Sequence, residues 1–79
     1  MSVLLTYNTG ESVRLDRHKK LADMIQEFGE PKIRNEHYGL YRLFWTFGIG
    51  SMASSWTYFL NFPPGWKGKK LIRVEVDGT

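Results

Sequence analysis

Apolar and polar positions divide this chain into short alternating runs and one helical stripe. Val3, Leu5 and Tyr7 fall at every second position, and Val13 and Leu15 resume that period after Asn8-Thr9-Gly10. Successive strand side chains point to opposite faces, so the pattern predicts a β-hairpin over residues 2–15. Leu21, Met24, Ile25 and Phe28 instead fall at i, i+3, i+4 and i+7, the spacing of one helix face. A helix is predicted over residues 17–28, with Asp16 as its N-cap, Gly29 at its C-terminal turn and Pro31 barring continuation. Residues 29–37 read as a polar loop. Beyond it, Tyr41, Leu43, Trp45 and Phe47 alternate with Arg42, Phe44 and Thr46. Trp56, Tyr58, Leu60 and Phe62 alternate with Thr57, Phe59 and Asn61, and Ile72, Val74 and Val76 alternate with Arg73, Glu75 and Asp77. Strands are therefore predicted at about 40–47, 56–62 and 70–77.

The expected architecture is α+β: one domain over residues 1–79 with element order ββαβββ. Its antiparallel-rich sheet would carry one helix packed on one face. The opening hairpin, its Thr9-Gly10 turn and the helix, residues 2–28, resemble the first half of β-grasp domains in element order. The C-terminal Asp77-Gly78-Thr79 is not the Gly-Gly tail of a conjugated modifier. The resemblance implies a fold and no activity.

Composition narrows the function classes. With 79 residues, 42% hydrophobic and 24% charged, the chain suits one folded domain rather than a disordered one. It has no cysteine, which excludes disulfides, thiolate metal sites and thiol catalysis. Small secreted domains usually depend on disulfides, so a cytoplasmic protein is expected. The opening SVLLTYNTGESVRL lacks a basic stretch followed by an apolar run, so no signal peptide is expected. From Leu43 to Trp66 no residue is charged, which is long enough for a membrane helix. Its apolar part has a mean hydropathy of only roughly 0.8, and its alternation is that of strands, so no membrane partner is expected.

Motifs that would carry chemistry are weak. Gly48-Ile49-Gly50-Ser51-Met52-Ala53 matches G-x-G-x-x-A, but pyrophosphate binding needs that turn inside a parallel βαβ unit. A hairpin loop with glycines at positive φ is the simpler reading. His18 and His37 lack a metal-ligand spacing, and the serines lack a nucleophile elbow. No metal, no cofactor, no small-molecule substrate and no enzyme activity are therefore expected. Arg17, Lys19 and Lys20 stand at the helix start, where the dipole disfavours cations. They read as a solvated face with a Lys19–Asp23 pair at i, i+4, or as contacts to an anionic partner.

Surfaces carry the functional reading. Ten of the twelve aromatic residues lie between Tyr38 and Trp66, and they load both faces of the middle hairpin. One helix covers only one face, so a wet aromatic patch is expected unless the sheet curls into a barrel. Phe44 and Phe59, with Arg42 and Thr57 beside them, are the expected protein interface. It would serve a protein partner, a homodimer or both. The expected function is a small non-catalytic accessory or inhibitor, of the kind a phage or mobile element carries. It would mask a partner sterically through an aromatic patch with a basic rim. The alternative is nucleic-acid binding by Trp66, Lys67, Lys69, Lys70 and Arg73, with rings stacking on bases and cations on phosphates. The net charge of +3 allows this without requiring it. The same lysines could equally shield an edge strand from aggregation.

Overall fold

A computed structural model describes residues 1–48 and 53–78 (for 36 and 37, the backbone alone). The chain runs β1 (Ser2–Tyr7), β2 (Ser12–Leu15), α1 (Lys19–Phe28), β3 (Lys32–His37), β4 (Leu40–Phe47), β5 (Ser54–Asn61) and β6 (Leu71–Asp77). The α+β class is as expected, but the single sheet is not. The strands form two antiparallel three-stranded sheets, ordered β2-β1-β6 and β3-β4-β5.

Segment 29–37, read as a loop, contributes β3. Ile33 is its one clearly apolar core-facing residue, paired with Leu43. Asn35 takes a second inward position by hydrogen bonding, not by hydrophobicity. Its Oδ1 accepts from Leu71 N–H at 2.7 Å and its Nδ2 donates to Leu71 O at 3.0 Å. These bonds tie the second sheet to β6 of the first.

The helix begins at Lys19, two residues later than expected, and Asp16 does not cap it. His18 is the N-cap, makes no side-chain cap bond, and accepts the Ala22 N–H through its backbone at 2.9 Å. The His18 ring turns instead to β5, where Nδ1 lies 2.9 Å from Tyr58 Oη. The Lys19–Asp23 ion pair does not form among the described residues. Gly29 ends the helix at φ 91°, a conformation that L side chains resist, and its N–H bonds Ile25 O at 2.8 Å.

One core joins both sheets and the helix. Val3, Leu5 and Tyr7 of β1 meet Leu71 and Val74 of β6, the Leu21-Ala22-Met24-Ile25 face of α1, and Tyr41, Leu43, Trp45 and Leu60. The inward aromatics of the second sheet are absorbed by the helix end. Phe28 packs on Trp45, Phe47 and Trp56 at ring separations of 6.2, 4.9 and 6.1 Å. Trp45 also donates Nε1–H to Gly29 O at 2.8 Å. Tyr7 and Tyr41 meet between the sheets, with their hydroxyls 3.1 Å apart. A buried hydroxyl needs such a partner.

Of the G-x-G-x-x-A stretch, residues 49–52 lie outside the described residues. It joins β4 to β5, which pair antiparallel, so the parallel crossover that the dinucleotide fingerprint requires is not there.

Candidate functional site

The outward faces of the two sheets differ in charge pairing. On the first sheet, cross-strand registers place Arg14 opposite Leu4 and Leu4 opposite Glu75, with Thr6 between Ser12 and Arg73. The charges there are matched. Arg14 pairs with Asp77, and Arg73 bridges Glu75 at 3.2 Å and Glu30 at 3.0 Å. Glu30 and Glu75 in turn hold the Arg73 guanidinium above its usual range.

On the second sheet, residues directly opposite share a face, and two cross-strand rows result. One row is Lys32, Phe44 and Thr57; the other is Arg34, Arg42 and Phe59. Thus Arg42, Phe44, Thr57 and Phe59, expected as an interface, stand together on the outward face. Phe59 is 50% exposed and Phe44 half-buried. The Arg42 guanidinium lies 4.9 Å from the Phe44 ring centroid, a cation–π contact. The polar reading of residues 29–37 hid Lys32 and Arg34, which β3 brings into the same rows. None of these three cations has an ion pair among the described residues, and no acidic side chain is described on this face. Arg34 stands directly opposite Arg42, an arrangement that destabilises a sheet.

A second concave site opens at the other end of β4. A cleft of about 890 Å³ is lined by Asn8, Tyr38, Tyr41, Phe62, Trp66 and Lys70, with Asn35, Gly39, Gly68 and Lys69. The β3–β4 connection is Tyr38-Gly39, with φ of 54° and 79° at its two residues. This is the conformation of a two-residue hairpin turn, whose first position favours Asn, Asp or Gly. A tyrosine there costs about 1 kcal/mol of backbone strain. Its side chain is nevertheless 95% exposed. Across the cleft, Trp66 packs on Phe62 and Phe62 on Tyr41, each at 4.5 Å between ring centroids. Burial pushes the Tyr41 hydroxyl well above its ordinary range, and the Tyr7 hydrogen bond adds to this.

Of the residues expected for nucleic acid, Trp66, Lys69 and Lys70 line this cleft, while Lys67 is exposed in the neighbouring turn. Arg73 stands apart on β6, held by Glu30 and Glu75. Lys69 is engaged by Glu11 and sits 5.7 Å from the Tyr7 ring. Its ammonium holds the Glu11 carboxyl below the usual carboxylate range. Lys70 has no ion pair among the described residues. Its backbone N–H bonds Asn8 Oδ1 at 3.0 Å, and its carbonyl accepts the Asn8 N–H at 2.9 Å.

Among the described residues, no group of three or more His, Asp or Glu is placed to hold a metal, and no helix is long and apolar enough to cross a membrane. No protein-family model matches the chain, and no curated protein or solved structure is significantly similar to it.

Proposed function

We propose that this protein is a cytoplasmic, non-catalytic binding module. In this reading the outward face of its second sheet docks on, and masks, an acidic surface of another protein. The supporting observation is the pair of cross-strand rows Lys32-Phe44-Thr57 and Arg34-Arg42-Phe59. Rings and arginines are the residue types that anchor interfaces when water is excluded from them. Lys32, Arg34 and Arg42 meet no described carboxylate on this face, and carboxylates of a partner would lift the Arg34–Arg42 repulsion on docking. A symmetric homodimer through this face fits poorly, because a two-fold axis would bring cationic face against cationic face.

The test is capture from the native host with wild-type protein and two surface variants, Phe59→Ser and the double variant Arg34→Glu/Arg42→Glu. One acidic protein should be retained by wild type, survive nuclease treatment and be lost with both variants. Retention that nuclease abolishes would make the face a nucleic-acid platform. Retention unaffected by either variant would place binding elsewhere. Sedimentation showing concentration-dependent dimers that Phe59→Ser abolishes would return the face to self-association.

A further inference from the structure

We propose that the cleft between the Tyr38-Gly39 turn and the 66–70 loop binds a nucleoside phosphate, its base against the aromatic wall and its phosphate at Lys70. The inference is independent of the sheet face, which the cleft does not share.

Three observations carry it. The first is the wall. Tyr41, Phe62 and Trp66 form a chain of tilted ring contacts, 48° and 41° between planes and 4.5 Å between centroids, running from the buried core to the cleft. Any flat heteroaromatic ring can extend such a chain by stacking. The second is Tyr38. It is a bulky residue held at φ 54°, a conformation that asparagine or glycine adopts with less strain, and it stands 95% exposed at the cleft rim. Strain that persists beside a cleft points to use of the side chain there. The third is the polar complement. Asn8 spends its Oδ1 on Lys70 N–H, so its amide –NH₂ has no partner among the described residues and can donate to an acceptor on a base edge. Lys70 carries a charge that no described carboxylate meets, and no acidic side chain is among the described residues that line the cleft.

Together these ask for a planar ring with acceptors on its edge, joined to an anion. A nucleoside phosphate has that chemistry, either as a free nucleotide or as one unit of a single strand. The volume of about 890 Å³ lies within the range of sites for ligands of this size.

The experiment titrates the full chain with AMP, UMP, an eight-nucleotide single strand and inorganic phosphate. It follows amide chemical shifts and tryptophan emission. The expected result is that nucleotides shift Asn8, Tyr38, Gly39, Trp66 and Lys70 and quench emission, with affinity falling as salt rises. Tyr38→Gly should weaken binding at least tenfold while leaving the fold intact, because glycine suits the turn. Lys70→Gln should weaken it several-fold and flatten the salt dependence. An oligonucleotide at least tenfold tighter than AMP identifies a strand as the source, and equal affinities identify the free nucleotide. The proposal is overturned if millimolar nucleotide moves none of these amides, or if inorganic phosphate alone moves them equally. It is also overturned if Tyr38→Gly binds as wild type, or if shifts fall on Thr57 and Phe59 instead.

Discussion

Replacing Arg34 by glutamine should stabilise this protein, although it removes a side chain from a strand. Arg34 and Arg42 are direct cross-strand partners, and Lys32 lies two residues away on the same face of β3. Opposed side chains leave an antiparallel pair at about 4.5–5.5 Å between Cβ atoms. Guanidinium groups that splay to roughly 6 Å repel by about 0.7 kcal/mol at the dielectric of water. Arg34 is exposed, so the water value is the appropriate one, and its ordinary surface contribution is small. Arg34→Gln should then gain about 0.5–1 kcal/mol at low salt. For a domain of this size, that raises the melting temperature by about 2–8 °C. Arg34→Glu should gain more, since attraction to Arg42 replaces repulsion. Arg34→Lys should change little.

Thermal unfolding followed by circular dichroism at about 10 mM and 1 M salt measures this series. The screening length falls from about 30 Å to 3 Å between those conditions, so the gains should vanish at high salt. The same variants should bind an acidic partner less well, so stability and binding move in opposite directions. A melting temperature for Arg34→Gln at or below wild type in low salt would refute the reasoning. So would a gain that survives 1 M salt, because neither is electrostatic crowding.

Four other outcomes follow from particular contacts. Tyr41→Phe leaves the Tyr7 hydroxyl buried without its partner and should cost about 1–2 kcal/mol in urea unfolding. Because the Tyr41 hydroxyl titrates above the ordinary 10.0, the unfolded chain loses its proton first. The stability it contributes is complete below pH 10 and falls as pH rises beyond it, and that alkaline slope should shrink in Tyr41→Phe. Leu43→Ala, at a fully buried site, should cost about 2–5 kcal/mol by the same assay. Tyr38→Gly should leave the melting temperature unchanged or raise it by a few degrees, since relief of about 1 kcal/mol of strain is partly offset by glycine's greater freedom in the unfolded chain. Glu11 is held below its ordinary 4.5 by Lys69, so its ion pair is intact above that pH and is lost as pH falls below it. Protection of the Lys69 and Lys70 amides relative to intrinsic exchange should therefore fall only as pH drops below the ordinary carboxylate range, and Glu11→Gln should show the lower protection already at neutral pH.

What was legible in the sequence was periodicity. The stripe at Leu21, Met24, Ile25 and Phe28 located α1, and the alternations through Leu43, Tyr58 and Val74 located β4, β5 and β6. Strand β3 escaped because alternation is read from apolar residues and it offers one, Ile33. The position that Asn35 fills is specified by two hydrogen bonds to Leu71, 36 residues away, and no local pattern encodes that. The division into two sheets escaped for the same reason. β6 joins β1 across most of the chain, and pairing between distant strands leaves no periodic trace. The late helix start has a tertiary cause as well, since the His18 ring is taken by Tyr58. At the sheet face, Arg42, Phe44, Thr57 and Phe59 were legible because two alternating strands already fixed their phase. Lys32 and Arg34 were not, because their strand was not. Tyr38 left one signal, a Tyr-Gly pair between two runs, which reads as a turn only once β3 is known to be a strand.

The two outward faces make an internal comparison. Both are antiparallel, and both sheets are built on the same core. On the first, arginines meet carboxylates at the distances a free-standing surface requires, as Arg73 does with Glu75. The chain therefore contains the device for matching charge across strands and uses it on one sheet. On the second, three cations crowd around two rings without one described carboxylate, and directly opposed arginines oppose each other's folding. Shape alone does not require this, since a glutamate at 34 would fit the same strand and stabilise it. The strained Tyr38 turn lies on that sheet too, at the end of the same two strands. Opposed like charges and a strained tyrosine turn thus lie on the second sheet, while the described charges across the strands of the first are paired. Such one-sided departures from local consistency are the expected mark of residues kept for contact with something outside the chain.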